Sequence, residues 1–247
     1  MSEMKAHRPF SRTAALLGDE AMQRLHKARV AVFGVGGVGG YVVEALVRSG
    51  VGAVDVFDKD DVSITNLNRQ IIALHSTIGQ DKVSVIAERM RNINPEVVIN
   101  EHKMFYLPEN ADETDLTVYD FVVDAVDTVA AKIELAVRCE RLGVPLIAAM
   151  GAGNKLDPSK LLISDIYKTS VCPLARAMRT TLRKKGVKRL TVAYSTEEPV
   201  RPVEAIDNEG QSLAGSRRKD VPGSAAFVPS AMGLLIASHV VRKLTGH

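Results

Sequence analysis

The chain has few cysteines: among its 247 residues only Cys139 and Cys172 occur. Two thiols cannot build a framework of several disulfides or a zinc site with four thiolates, so we expect neither, and we expect no bound zinc. The first residues also lack the apolar run of a signal peptide. Scarce cysteine and the missing signal together favour the reducing cytoplasm as the location.

Tryptophan is absent and aromatic residues make up 4% of the chain, yet 46% of the residues are hydrophobic. This balance excludes a disordered chain and favours an α/β core of Val, Ile, Leu and Ala. The most apolar stretch, residues 225–241, is shorter than the roughly 20 residues that cross a bilayer. It contains Pro229 and Gly233, and we expect a buried helix beginning near Ser230, not a membrane anchor.

Short apolar runs alternate with helical patterns through the first 150 residues. This order predicts a doubly wound, Rossmann-like and mostly parallel sheet of the α/β class. Strands are predicted at residues 29–34, 53–57, 97–100, 121–125 and 145–150. Helices are predicted at residues 14–25, 37–48, 80–93 and 128–142.

The later part of the chain differs in character. Two predicted strands, residues 161–167 and 189–195, flank a helix at 173–185, and they add a C-terminal strand and helix region to the fold. Residues 197–223 show little periodicity and are rich in Pro, Glu, Asn, Gly and Arg. This composition predicts a mobile loop that lies over or beside the active site.

A glycine-rich segment follows the first predicted strand and opens a helix. Its G-x-G-x-x-G pattern is formed by Gly34, Gly36 and Gly39, with Gly37 between them. Such glycines let the backbone approach phosphates at a helix N-terminus, and Asp58 has the spacing of an acid that bonds ribose hydroxyls. Alone, this pattern is typical of nicotinamide or flavin enzymes. Glycines that serve packing alone are a weaker alternative, because they leave the paired acid unexplained.

Cations and a second acid distinguish a triphosphate from a dinucleotide. Arg69 lies in the polar segment 58–70, and Lys82 lies near the start of the next predicted helix. An ATP tail carries about four negative charges, which two or three cations and a metal ion usually neutralise. Each cation alone is equally explained as a surface charge. Asp127 follows a later strand, where it would hold Mg²⁺, cap the helix at 128–142, or do both.

These motifs, in this order, resemble those of the ThiF-type, ubiquitin-activating-enzyme-like adenylating superfamily. The matching segments are residues 34–39, 58, 66–70, 82, 92–95 and 124–127. The resemblance implies an ATP-using enzyme in which the glycine loop and Asp58 bind the nucleotide and Asp127 is the catalytic acid associated with Mg²⁺. The other nucleotide-binding residues that it implies are Asp60, Asn66, Arg69, Gln70 and Lys82.

The same resemblance implies a homodimer, because an arginine that matches Arg12 reaches the nucleotide of the other subunit. The implied catalytic set is therefore Asp127, Arg12, Arg69 and Lys82. It also implies that residues 1–247 form a single ThiF-type domain. Residues 1–150 would be its nucleotide-binding part, and residues 151–247 its part for substrate and dimerisation.

Later motifs are similar to those of the tRNA threonylcarbamoyladenosine dehydratases, at residues 151–158, 168–176, 194–197 and 223–228. This similarity implies adenylation of a carboxylate on a modified tRNA adenosine, followed by ring closure and loss of AMP. An adenylating enzyme for a ubiquitin-like sulfur-carrier protein is the nearest alternative, with such a carrier or a cysteine desulfurase as its partner. The missing zinc cysteines argue against it. A NAD-dependent oxidoreductase and a non-catalytic nucleotide-dependent scaffold are further alternatives.

Two features of the sequence each allow two interpretations. Cys172 is the candidate nucleophile of a thioester mechanism, and an uncommitted thiol at a helix start is the alternative; Cys139 is expected to be a small buried hydrophobe. A basic run at residues 176–189 is either a solvated surface or a contact for tRNA phosphates. The formal net charge of +3 suits a phosphate-rich partner without requiring one.

Overall fold

A computed structural model describes residues 9–204, 211 and 221–247, so parts of the loop predicted at 197–223 lie outside the described residues. Its strands and helices follow the predicted alternation. The strands are β1 (Arg29–Phe33), β2 (Ala53–Phe57), β3 (Val98–His102), β4 (Phe121–Asp124), β5 (Leu146–Ala149), β6 (Leu161–Asp165) and β7 (Thr191–Ser195). The helices are α1 (Ser11–Leu17), α2 (Asp19–Lys27), α3 (Gly39–Arg48), α4 (Lys82–Ile93), α5 (Val129–Leu142), α6 (Pro173–Lys184) and α7 (Phe227–Thr245).

All seven strands belong to one sheet in the order β3-β2-β1-β4-β5-β7-β6. Every pairing is parallel except that of β6 with β7, which is antiparallel. The doubly wound, mostly parallel α/β fold is thus confirmed. The division of the domain at residue 150 stays a prediction, although β7 pairs with β5 and joins strands from both parts in one sheet.

The prediction of a single helix at residues 14–25 was wrong. Two helices, α1 and α2, meet at Gly18, whose φ of 85° breaks the helix. The 3.6-residue period continues across the break, so the pattern of apolar residues did not reveal it. Glycine adopts this conformation at little cost, which is why the chain turns at this position.

Helix α7 packs against α3 and buries Met232, Ile236 and Val240 in the main core. A Cβ atom on Gly233 would lie 2.4 Å from the carbonyl oxygen of Val38, so the two helices approach closely at this point. Length and composition alone would allow α7 to cross a membrane, but a core helix has the same properties. The predicted buried helix is confirmed, and it begins three residues earlier, at Phe227.

A buried acid joins the three strands at one side of the sheet. Asp55 on β2 is fully buried and accepts hydrogen bonds from Arg29 (2.8 Å), His102 (3.0 Å), Asn100 (3.1 Å) and Tyr119 (3.3 Å). Burial alone would raise the pKa of Asp55, but the bonds from Arg29, His102 and Asn100 outweigh it and lower the pKa.

Candidate functional site

The glycine segment forms a tight turn between β1 and α3, at the carboxyl ends of the central strands. The Gly34 N–H donates to the Phe57 carbonyl (2.7 Å) and so joins the ends of β1 and β2. A Cβ atom on Gly34 would lie 2.7 Å from the Ala125 carbonyl oxygen, and one on Gly39 would lie 1.8 Å from that of Gly34. Only glycine fits at these positions. The turn leads directly into α3, and the positive end of this helix suits a phosphate.

Asp58 binds this turn directly. One of its carboxylate oxygens accepts from the Val35 N–H (2.9 Å), and the other accepts from the Asp60 N–H (2.9 Å). The acid is therefore held beside the glycines in an orientation fixed by backbone donors. Each carboxylate oxygen keeps a second acceptor position, which a ribose hydroxyl can use.

Lys82 completes this cluster from the first residue of α4. Its residue surface is 5% exposed, and its Nζ lies 3.1 Å from Asp60 Oδ2 and 4.0 Å from Asp58 Oδ1. A cation at a helix N-terminus opposes the helix dipole, so the two carboxylates have to stabilise it. The structure thus brings Asp58, Asp60 and Lys82 together, and their role in binding a nucleotide stays a prediction.

Arg69 is a partly buried cation next to the same turn. Its guanidinium donates to the Thr65 carbonyl and to Asn68 Oδ1, both at 2.9 Å, and no carboxylate pairs with it in the described part of the chain. Desolvation by burial lowers its pKa. A Cβ atom on Gly37 would lie 3.3 Å from Arg69 Cγ. A cation without a counter-ion is therefore placed against the predicted phosphate-binding backbone.

Asn66 and Gln70 lie in this segment but differ in their bonds. Asn66 Oδ1 accepts from the Ser63 N–H (3.1 Å) and forms part of a capping box, which is a structural task. Gln70 is buried, and in the described part of the chain its Oε1 has no hydrogen-bond partner. Gln70 Nε2 would lie 3.6 Å from a Cβ atom on Gly36, so this amide faces the glycine turn. Of the two, Gln70 retains an acceptor for a ligand.

Asp127 follows β4 and lies on the surface at the same end of the sheet. Its Oδ1 accepts from the Thr128 hydroxyl at 3.3 Å, a long bond. The helix-cap role was wrong, because Thr128 takes the N-cap position of α5 and no side-chain bond caps that helix. An exposed carboxylate with a single weak partner fits Mg²⁺, which binds one or two carboxylates together with substrate phosphates.

The sequence analysis missed the support beneath this acid. Lys132 Nζ donates to Asp124 Oδ1 (2.9 Å), and the Val126 N–H donates to the same oxygen (3.2 Å). Burial raises the pKa of Asp124, and the Lys132 ammonium opposes that rise. The one available signal was a lysine between the buried positions Ala131 and Leu135 of α5.

Arg12 and Cys172 lie away from this cluster. Arg12 is exposed on α1, and no described hydrogen bond or ion pair links it to the glycine turn within one chain. Cys172 is 3% exposed at the N-cap of α6 and packs among Ile166, Ala175 and Met178, so its thiol is not presented to the nucleotide residues. Cys139 is a buried hydrophobe as predicted, and burial raises its thiol pKa to about 12.

A second group of residues adjoins the site from the region after β5. Glu197 accepts from the Leu156 and Asp157 N–H groups (both 3.0 Å), and these bonds lower its pKa. The buried Lys155 donates to the Glu197 carbonyl. Asn68 Nδ2 donates to the Ser224 carbonyl (2.9 Å), which ties the region to the nucleotide segment. The sequence motifs in this region did not predict these contacts.

The basic run at residues 176–189 is mostly exposed on and after α6. Arg179 is the exception, since it donates to the Thr169 carbonyl (3.0 Å). In the described part of the chain, the side chains of the other members form no ion pair, although the Lys188 backbone N–H donates to Glu140 Oε1 (3.3 Å). These members are Arg176, Arg183, Lys184, Lys185, Lys188 and Arg189. The structure therefore leaves both predicted roles of this run open.

Comparison with known proteins agrees with the fold. The model of the ThiF family matches residues 10–247. A tRNA threonylcarbamoyladenosine dehydratase of Bacillus subtilis is 45% identical over 238 residues, which cover 95% of this chain and 94% of that protein. Crystal structures of the Escherichia coli tRNA N6-threonylcarbamoyladenosine dehydratase TcdA, in complex with AMP and with ATP, match with TM-scores of 0.85 and 0.83. Both are 35% identical and cover 96% of this chain and 94% of the matched chain.

Proposed function

The chain belongs to the ThiF family, and we propose that it dehydrates N6-threonylcarbamoyladenosine in tRNA after adenylating the carboxylate of that modification. The observation that carries the proposal is the 45% identity to the Bacillus subtilis dehydratase across nearly the full length of both chains. The glycine turn, the Asp58–Lys82 cluster and the exposed Asp127 supply the groups that such a reaction requires.

We assign the nucleotide to the carboxyl ends of β1, β2 and β4. The N–H groups at the start of α3 bind phosphate, and Asp58 bonds the ribose. Arg69 and Lys82 neutralise the outer phosphates. For Arg69 the absence of a carboxylate partner among the described residues supports this role. Lys82 exchanges its Asp60 contact for a phosphate oxygen.

We propose that Mg²⁺ binds together with ATP, and Asp127 is the residue that would hold it. When bound there, the ion would shield the charge that develops as the pyrophosphate group leaves. Among the described residues no cluster of three or more metal-binding side chains exists, which is consistent with an ion held mainly by phosphate oxygens. Activity titrated with Mg²⁺ at fixed ATP tests this assignment, and full activity in excess chelator would contradict it.

The reaction proceeds in two balanced steps. A carboxylate oxygen of the threonyl group attacks the α-phosphorus of ATP, the bond to the β-phosphate oxygen breaks, and pyrophosphate leaves. The carbamoyl group of the same modification then attacks the acyl carbon and gives up one N–H proton to solvent, a ring closes, and AMP leaves with the carboxylate oxygen. The tRNA loses one water in total. Because the second step is intramolecular, it needs no protein nucleophile.

Mass spectrometry of tRNA nucleosides tests the function directly. The protein is incubated with Mg²⁺, ATP and tRNA that carries the modification, and we expect the modified nucleoside to lose the mass of one water. Reactions without ATP, and with Asp127→Asn protein, are the controls and should leave the nucleoside unchanged. An unchanged nucleoside in the complete reaction, with pyrophosphate exchange stimulated by a sulfur-carrier protein, would establish the alternative function.

Further parts of the proposal concern partners and location. We propose a homodimer in which Arg12 acts on the partner's nucleotide, and a cytoplasmic location, where tRNA is available. The exposed basic run at residues 176–189 is proposed to contact tRNA phosphates. Reversing the charges of Lys184 and Lys185 should then reduce the dependence of tRNA affinity on salt concentration while ATP affinity stays the same. An unchanged salt dependence would make this run a solvated surface.

A further inference from the structure

A small cavity opens where the chain leaves β5, next to the nucleotide segment. Its volume is about 250 Å³, and most of its lining is apolar, including Leu156, Val200 and Ala225. Sites that hold a whole drug-sized ligand usually measure roughly 300–1,000 Å³. The cavity is therefore suited to one substituent of a larger ligand.

Asn154 is the polar residue of greatest interest in this lining. Its backbone is fixed on both sides, because its N–H donates to the Gly223 carbonyl (2.7 Å) and its carbonyl accepts from the Val200 N–H (2.8 Å). Its side-chain Oδ1 is buried and has no hydrogen-bond partner among the described residues. A buried acceptor without a hydrogen bond destabilises the protein, and a ligand with a suitable donor removes this penalty.

Hydrogen bonds connect the lining of the cavity to the segment of the proposed nucleotide site. Gly223, which binds Asn154, is followed by Ser224, whose carbonyl accepts from Asn68 Nδ2 (2.9 Å), and Asn68 in turn accepts from Arg69. On the other side, β5 lies next to β4, the strand that precedes Asp127. We therefore expect a substituent attached to the reacting carboxylate to reach Asn154.

We propose that the Asn154 side-chain amide binds the carbamoyl group of the modified adenosine and holds it for ring closure. This inference rests on the proposed function. A carbamoyl group between two nitrogens is a urea, with N–H donors and one carbonyl acceptor. The Asn154 amide is complementary to it, since Oδ1 accepts an N–H and Nδ2 donates to the urea carbonyl. Two simultaneous bonds fix the orientation of the urea relative to the acyl-adenylate.

A purely structural role for Asn154 makes a different prediction. Its φ is 57°, in the left-handed region that asparagine tolerates better than most residues. If this conformation were the only reason for asparagine, glycine would serve at least as well. The substitution Asn154→Gly therefore removes the amide without straining the backbone, and it separates the two roles.

The experiment measures single-turnover dehydration of modified tRNA by the parent protein, Asn154→Gly and Asn154→Asp, together with ATP affinity. We expect kcat/KM for tRNA to fall about tenfold to a hundredfold in both variants, the range for a lost hydrogen bond in a site built for it. ATP affinity should stay the same. Asn154→Asp keeps the shape of the side chain but cannot donate to the urea carbonyl, so it tests the second bond.

Normal kcat/KM in Asn154→Gly would overturn the inference and leave asparagine with its structural role. Normal turnover by Asn154→Asp would also overturn it, because the donor would then be unnecessary. If Asn154→Gly does not fold, Asn154→Asp decides the question by the same criterion. Failure of the proposed function is distinct, since the parent protein itself would then leave the modified nucleoside unchanged.

Discussion

Lys132 and Asp124 form an ion pair that is closed to solvent, with Nζ 2.9 Å from Oδ1 and side-chain exposures of 1% and 0%. Asp124 ends β4, and the next residue, Ala125, donates its N–H to the Phe33 carbonyl (2.8 Å). The pair therefore fixes the turn that contacts Gly34 and leads to Asp127. It stabilises the fold and supports the site at the same position.

We predict that Lys132→Met destabilises the protein by about 3–5 kcal/mol, because the carboxylate of Asp124 stays buried without its cation. Adding Asp124→Asn should recover part of this loss by removing the unpaired charge. Denaturant unfolding at pH 7 measures both. The matched control is Lys27→Met at an exposed position, which should change stability by no more than about 0.5 kcal/mol. A loss below about 1 kcal/mol for Lys132→Met would contradict the structural role of the pair.

The Asp55 network predicts a pH dependence of stability with a defined sign. The pKa of Asp55 is lowered in the folded state. Ionised Asp55 therefore contributes fully to the free energy of unfolding above the ordinary aspartate pKa of about 3.9. This contribution to stability is lost as the pH falls through the lower pKa that Asp55 has in the folded protein. Asp55→Asn should therefore be less stable than the parent protein at pH 7 by about 3 kcal/mol, and the difference should narrow below about pH 4. A difference that is constant from pH 7 to pH 3 would contradict the ionised network.

The sequence predicted the parts of the fold whose signals are local. Alternating apolar runs located β1 to β5, and the G-x-G-x-x-G pattern with Asp58 located the turn, because both depend on residues close together in the chain. Contacts between distant segments left no such signal. Packing between distant segments, which a single sequence does not display, determines three such features. They are the hydrogen bond from Asn68 to Ser224, the burial of Lys132 and the hydrogen bond from Lys155 to Glu197. The break at Gly18 was missed because helical periodicity continued through it.

Arg69 and Lys82 are expected to discriminate between nucleotides. Their proposed partners are the outer phosphates, so Arg69→Ala and Lys82→Met should weaken ATP binding more than AMP binding, by about tenfold or more for each lost charge-assisted bond. Calorimetric titration with both nucleotides measures the two affinities. Equal losses for ATP and AMP would show that the side chains act elsewhere. Because Lys82 is buried against Asp60, the thermal stability of each variant has to be measured beside its affinity.

The proposed dimer predicts complementation between two inactive proteins. In a mixed dimer of Arg12→Ala and Asp127→Asn, one site receives an intact Arg12 from one chain and an intact Asp127 from the other. Each mixed dimer then has one complete site out of two. It should therefore show up to about half of the activity of a parent dimer. Dehydration of modified tRNA is the readout, and native mass spectrometry confirms that subunits have exchanged. No recovery after confirmed exchange would place Arg12 outside the partner's site.

The last prediction concerns Cys172, because it separates dehydration from thioester chemistry. A thioester mechanism transfers the activated acyl group to a thiolate, so its cysteine cannot be replaced without a large loss. The dehydratase uses the carbamoyl group already attached to the substrate, and a well-oriented intramolecular reaction has an effective concentration of about 10⁵ M or more. The residue Cys172 is also only 3% exposed and lies among apolar side chains, away from the nucleotide residues.

We therefore expect Cys172→Ser to retain most single-turnover cyclisation, and Cys172→Ala to do the same without a buried hydroxyl. A search for a covalent protein–substrate adduct by mass spectrometry accompanies the measurement. Loss of cyclisation with continued AMP release in both variants, or an adduct on Cys172 in the parent protein, would restore a covalent intermediate.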